Sequence, residues 1–531
     1  MVLNMKSNWF KYVFIFFIVI ILIFAILIMK DEESTKEELQ QNASVQSDKV
    51  REIKFGIAKL DTMNPILSNN KNVQDISKLI FEPLVTLTSD YKAEPCLAKE
   101  WAKQSDNSYL IKLRENVKWS DGQRFTADDV KFTIDRLKDS ATIYAYNVSE
   151  VVGIDIIDDY TIKINLDKEI PFFEYNLTFP ILSKDYYDAQ NFSNTYKNKS
   201  PVGTGMYKIS EAESSYIILS KNTGWWNKNK ELTIEKIIIN LYSSVGELYN
   251  SFKIGNLDLI ATNNENVQEY IGTIGYSSKE LKGREYTFLA LNTQSFFLSR
   301  QEVRKAIAYS IDKENIVSNI LNNKCYTSGF PLDYGNWLSQ GQEASAGYNL
   351  DQAKQLLVDD GWSYKYHYWQ KVENYRTQKI VLNAIVKASD STKVAVAENI
   401  KAQLENQGIR INLLQLSDEQ YNQSLQNKNY DIALCSMTLA PTPNLNTFFG
   451  EGNLANYSND EITDILNETK NTSDENILKE KYKRLAEIYK AEIPYIGLYN
   501  SKYFVAYNSE LVGEFSPNWF NIFYGIETWY K

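Results

Sequence analysis

KIVLNAIV (379–386), TKVAVAENIKAQLENQ (392–407), IRINLLQL (409–416), SDEQYNQSLQ (417–426) and DIALC (431–435) follow one another with links of only a few residues. The first, third and fifth are short apolar runs, as in strands buried on both faces. The second is long enough for a helix and is stopped by Gly408. The fourth opens on Ser417, with Gln420 three residues on as the reciprocal half of a capping box. Strand, helix, strand, helix, strand with short links implies parallel pairing and right-handed crossovers, so the chain is α/β.

In open sheets of this kind, ligands bind beyond the carboxyl ends of the strands. Three loops reach that edge: KASDS (387–391), SDE (417–419) and SMTLAPTPN (436–444). Pro441 and Pro443 remove backbone donors and fix φ, so the last strand must stop there. The residues before them, Ser436, Met437, Thr438, Leu439 and Ala440, are small or apolar and uncharged. They are candidate ligand contacts, through the backbone of Ser436, Thr438 and Ala440 and the apolar sides of Met437 and Leu439. No Asp or Glu occurs between Asp431 and Glu451.

Working outward, REIKFGIA (51–58) reads as a strand, residues 72–88 as an amphipathic helix running into LVTLT, and SYLIKLRENVKWS (108–120) as a strand pair. Trp119-Ser120-Asp121-Gly122 is turn chemistry, and Thr126 with Asp129 forms an Asp variant of the capping box. PVGTGMYKI (201–209) puts two glycines in a turn before a strand; it lacks the GK[ST] ending and the following helix of a phosphate loop. Asp312 and Asn349 are helix caps, the latter with Gln352 as its N3 partner. Residues 474–490 form a late helix, and IPYIGLYNSKYFVAY (493–507) has strand character.

The net charge of −10 and the lack of a basic stripe argue against nucleic acid. Three distant cysteines, Cys96, Cys325 and Cys435, make neither a disulfide framework nor a metal motif. His367, the single histidine, lies in YKYHYWQ and reads as a surface or packing residue, which argues against His-based triads and multi-His metal sites. The pairs Asp128-Asp129 and Asp158-Asp159 read as a solvated cap and a turn; Asp359-Asp360 at a helix end has no local account. The 36 Tyr, 24 Phe and 10 Trp suit stacking pockets, but a core built from large side chains explains them as well. No metal, cofactor or catalytic residue is expected. Two classes remain: a two-lobed receptor closing on a small ligand, and a hydrolase built on dispersed carboxylates with sugar-stacking aromatics. The absence of an acid/base pair favours the receptor.

Residues 12–29, YVFIFFIVIILIFAILIM, carry no charge over a length that crosses the hydrocarbon core as a helix. Lys6 and Lys11 precede the run, and Asp31, Glu32 and Glu33 follow Lys30, which puts residues 1–11 in the cytoplasm and the domain outside. With no small-residue cleavage site and no lipid-acceptor Cys, the run reads as an uncleaved signal anchor in the cell membrane, and residues 30–50 as a polar tether.

DTMNPILSNN (61–70), LIFEPLVTL (79–87), YLIKLRENVKWSDGQRFTADDVKFTIDRL (109–137), PVGTGMYKI, FLALNTQSFFLSRQEVRKAIAYSIDKENIV (288–317), YNLDQAKQLLVDDGW (348–362) and YDIALCSM (430–437) occur in that order. Together they resemble the family 5 extracellular solute-binding proteins, which serve ABC importers of oligopeptides, dipeptides and nickel. The resemblance runs from about residue 52 to the C-terminus. It implies a two-lobed periplasmic-binding-protein-like fold with an inserted third subdomain. Lobe I would use residues 51–66, 196–285 and 496–531, the insertion 67–195, and lobe II 286–495. It further implies a monomer that presents a captured peptide to permease subunits, with Met63 and Asn64 joining residues 436–440 at the ligand. In many peptide-binding relatives the loop matching 436–444 carries an acid that pairs with the peptide's α-amino group; here Ala440 stands in its place. The ligand is then expected to be uncharged at this loop, unless Asp61 or Asp333 supplies the charge. A transmembrane helix in place of the family's lipidated Cys leaves open a sensing receptor without transport.

Overall fold

The computed structural model describes residues 51–531 except 105–106, 140, 188–191, 195, 264–274, 333–334, 340–346 and 471. The expected anchor (12–29) and tether (30–50) lie outside the described residues, and among those described no helix is long and apolar enough to cross a membrane.

One eleven-stranded mixed sheet runs through the molecule. In order across it lie Arg410–Leu416, Val381–Lys387, Ile432–Thr438, Tyr276–Leu291, Tyr495–Asn508, Leu259–Thr262, Glu52–Ala58, Lys236–Tyr242, Tyr216–Lys221 and Tyr207–Ala212, with Cys325–Thr327 beside Tyr495–Asn508. The expected α/β unit is present and parallel: Val381–Lys387 pairs with Arg410–Leu416 over its whole length. Its helices are Ser391–Asn406, capped by Asp390, and Asp418–Gln426, with the capping box between Ser417 and Gln420.

The two long strands Tyr276–Leu291 and Tyr495–Asn508 are antiparallel and pass from one half of the sheet to the other. Their register shifts between Lys282 and Tyr286 and again between Thr287 and Phe288. On the second half, Tyr286, Phe288 and Ala290 enter one core cluster while Leu289 and Leu291 enter another, on the opposite face. Burial on both faces is why FLAL reads as a continuous apolar run. Here the aromatic residues are core. Phe288, Phe448 and Tyr495 pack mutually edge to face, and the Tyr495 hydroxyl donates to Phe448 O at 2.9 Å.

The first half shares its core with residues between Lys71 and Phe192: Phe55, Ile239 and Trp529 lie in one cluster with Trp119, Phe125 and Ile162. A separate four-stranded sheet forms there from Ala98–Lys103, Ser108–Leu113, Thr161–Leu166 and Val151–Asp158. The strand pair expected within 108–120 does not form. Ser108–Leu113 pairs with Ala98–Lys103 and Thr161–Leu166, while Lys118 makes only a lone bridge to Arg124. Asp129 accepts the Thr126 N–H at 2.9 Å, the Lys184 N–H at 2.8 Å and the Trp119 indole N–H at 3.2 Å, so the box acid also pins the preceding turn. Asp360, which had no local account, is ion-paired with Arg300 and Lys371 and accepts the Trp362 indole N–H at 2.8 Å.

The glycines of PVGTGMYKI serve close approach. A Cβ on Gly203 would lie 1.9 Å from Ile80 O, and one on Gly205 2.6 Å from Leu79 O. The helix Lys71–Ile80 ends against this bare backbone, with the Gly205 N–H donating to Ile80 O at 2.8 Å. This helix is shorter than the expected 72–88; residues 85–87 form a strand instead.

Candidate ligand-binding cleft

Strand Ile432–Thr438 pairs along its full length with the long strand, from Leu291↔Ile432 to Glu285↔Thr438. Its other edge meets Val381–Lys387 only at Ala384↔Ile432 and Ile385↔Ala433. Beyond Ala433 that edge is open. Leu439 N–H donates to Arg284 O at 2.9 Å on the paired side, and Leu434 O accepts the Tyr421 hydroxyl at 2.7 Å on the open side. Strand alternation then turns the amides and carbonyls of Ser436 and Thr438 toward the open edge. The loop that follows is held firmly, with the Tyr482 hydroxyl donating to Pro443 O at 2.6 Å.

The candidate side chains divide. Ser436 and Met437 are half-buried, while Thr438 and Ala440 are exposed. Leu439 does not offer an apolar side to a ligand: it is buried in the second-half core, because its amide faces the paired strand and its side chain turns inward. Met63 and Asn64 are also buried. Asn64 Nδ2 donates to Asn198 Oδ1 at 2.9 Å, and Asn64 Oδ1 accepts the Ile66 N–H at 3.1 Å, which makes Asn64 a buried turn-former. Met63 lines an open cavity of about 1120 Å³ with Lys59, Asp61, Lys199, Glu213 and Tyr242; no residue of 436–440 borders it. Asp61 accepts the Ser68 hydroxyl and the Thr62 N–H. Asp333 lies outside the described residues.

Sequence reasoning missed the neighbours of Leu439. The Arg284 guanidinium lies 4.2 Å from the Phe520 ring centroid and 5.7 Å from that of Trp519. The Lys71 ammonium also sits 4.9 Å from the Trp519 ring, and it is 5.1 Å from that of Tyr503. Lys71 is ion-paired with Asp75, a fully buried carboxylate that also accepts the Tyr503 hydroxyl at 3.3 Å. Burial raises the Asp75 carboxyl, against the pull of Lys71. Phe520 meets Tyr91 edge to face at 5.2 Å. Cationic and aromatic groups from residues 71–75, 91, 284, 503 and 519–520 thus converge around Arg284, whose carbonyl meets Leu439 on the paired side of the strand. Nothing local marks Asn518-Trp519-Phe520 as part of this group; only the tertiary fold brings it there.

The halves also touch directly. Trp337 donates its N–H to Asp90 O at 2.9 Å and its indole to the Tyr175 hydroxyl at 3.0 Å, and Lys92 pairs with Glu475. Among the described residues no group of His, Cys, Asp and Glu could hold a metal ion. Cys435 sits behind the open edge, and burial pushes its thiol up to about 11.

A family model described as "Bacterial extracellular solute-binding proteins, family 5 Middle" matches residues 92–456. The periplasmic oligopeptide-binding protein OppA of Salmonella typhimurium is 22% identical over 478 residues, covering 82% of this chain and 84% of OppA. The solved structure of HbpA2 from Haemophilus parasuis superimposes with a TM-score of 0.74 at 22% identity, covering 89% of this chain and 99% of that one. DppA from Helicobacter pylori, in complex with the peptide STSA, superimposes with a TM-score of 0.58 at 23% identity, covering 90% and 98%.

Proposed function

The chain belongs to the family 5 bacterial extracellular solute-binding proteins, and from that premise we propose that it is a membrane-anchored receptor that captures a peptide or peptide-like ligand between its lobes and delivers it to an ABC importer. The observation that carries this reading is the open edge of strand Ile432–Thr438. An extended ligand adds to such an edge through its main chain, with pockets for alternate side chains. In this reading lobe I comprises residues 51–66, 196–285 and 496–531, lobe II residues 286–495, and 67–195 the insertion; the long strands between them act as the hinge. Residues 12–29 hold the chain in the membrane, and residues 31–50 extend on the order of 60 Å toward the permease. The role is capture rather than turnover.

The neutral loop 436–444 narrows the ligand. A buried ammonium without a counter-charge costs several kcal/mol. The segment docked here is therefore uncharged: a blocked or modified peptide, a peptide in shifted register, or a non-peptide. Mass spectrometry of what co-purifies with the chain tests the reading. A mixture of peptides supports general peptide capture, one defined peptide supports the sensing alternative, and a ligand without amide backbone overturns strand addition.

A further inference from the structure

SYKYHYWQKVENYRTQK (363–379) belongs neither to the large sheet nor to the cleft. It folds into a three-stranded meander of Ser363–Lys365, Tyr368–Glu373 and Arg376–Lys379. One face is turned to the lobe. Trp369 is buried and its indole donates to Gln407 O at 2.7 Å, while Lys371 and Glu373 join Arg300 and Asp360 in an ion-pair cluster. By strand alternation the other face carries Tyr368, Gln370 and Val372, flanked by Lys365 and Ser363 on one strand and Thr377 and Lys379 on the other. Lys379 and Arg410 lie 4.4 and 5.2 Å from the Tyr368 ring centroid. The meander's single carboxylate, Glu373, is on the inner face.

The two turns are unusual. Tyr366 and His367 have φ of 52° and 64°, and Asn374 and Tyr375 have 50° and 60°. Left-handed pairs of this kind close tight hairpins and favour Asn and Gly. Tyrosine is strained there, yet Tyr366 is 87% exposed and Tyr375 fully exposed. Neither gains packing within the chain in return. Strain that the fold does not use points to a role outside it.

We propose that this face lies flat on an anionic lipid surface. The face is basic on a chain whose net charge is −10, so the attraction is local to it. Tyrosines at both ends suit the headgroup layer, where one part of the ring is apolar and the hydroxyl stays wet. An open three-stranded face matches a plane better than a groove. The proposal rests on the membrane-anchored reading, which keeps the domain within tether reach of lipid.

The test uses the full chain in vesicles of phosphatidylcholine alone or with one-third phosphatidylglycerol. Flotation with phosphatidylcholine alone reads the anchor; hydrogen exchange of peptides spanning 363–379 reads the face. Exchange there is expected to slow by at least about threefold in anionic vesicles only, and to recover at high salt. K365E/K379E and Y366S/Y375S should each abolish the slowing while melting like the parent chain. Equal exchange in both vesicle types, in a chain that floats, overturns the proposal. A chain that does not float with phosphatidylcholine alone fails the anchor reading instead. Its flotation with anionic vesicles then decides the face alone: floating supports it, and not floating overturns it.

Discussion

Gly203→Ala places a methyl group 1.9 Å from Ile80 O and 2.7 Å from the Ile80 carbonyl carbon. Both obstacles are backbone, so no side-chain rotation relieves the clash. The helix end and the 201–205 turn must part by roughly 1 Å, and overpacking of this kind costs about 1–3 kcal/mol. The parting also stretches two hydrogen bonds, Gly205 N–H to Ile80 O at 2.8 Å and Ser120 N–H to Gly203 O at 2.9 Å. Each contributes about 1 kcal/mol. The expected loss is about 3–5 kcal/mol in urea unfolding followed by tryptophan fluorescence. Gly153→Ala is the control: its Cβ would meet only Asn165 Nδ2, at 3.8 Å, and it should change stability by no more than about 0.5 kcal/mol. A G203A chain within about 1 kcal/mol of the parent would refute the close-approach argument.

Glu82 accepts indole N–H groups from Trp225 at 2.9 Å and Trp226 at 2.8 Å, yet burial raises its carboxyl from 4.5 to about 7. Its folded pKa lies above its unfolded one, so its contribution is complete below pH 4.5 and is lost as the pH rises to about 7, at up to about 1.4 kcal/mol per unit. E82Q should remove that slope from denaturation curves taken across this window; identical pH dependence in both chains would contradict the assignment. For ligand charge, calorimetry with matched free and N-acetylated peptides should show the acetylated form binding at least as well. A free amine that binds more than tenfold tighter, about 1.4 kcal/mol, means that a counter-charge exists at the cleft. Cys96 and Cys435, both buried with thiols raised by desolvation, should resist alkylation in the folded chain and react after unfolding, whereas rapid native labelling would place the open edge elsewhere.

What was legible in the sequence was local. The Ser417, Asn349 and Asp312 caps hold their helices as their spacing predicts, because a cap depends on residues within one turn. The parallel unit was readable for the same reason: each strand is an apolar run, one helix is stopped by Gly408 and the other opens on its own capping box. The meander at 363–379 was not, since tyrosines and lysines at two left-handed turns carry none of the Asn-Gly signals of a hairpin. Leu439 and Asn64 are buried for a shared reason that the sequence does not display: their contacts, to the second-half core and to Asn198, come from far along the chain. Trp519 and Phe520 lie over two hundred residues from Arg284, a separation that no motif spacing encodes.

The pairing of Leu259–Thr262 with Phe504–Tyr507 bears on how the chain is made. The first half of the sheet holds a gap that only its last forty or so residues can fill, and the strand Tyr276–Leu291 waits for the same partner. A chain emerging N-terminus first therefore cannot complete its first lobe until synthesis ends. Non-local pairing of this sort folds slowly, and unpaired strand edges invite association with other chains. A chain cut short near Pro494 would expose both edges at once. Quality control would meet it as an aggregation-prone fragment, not as a working half.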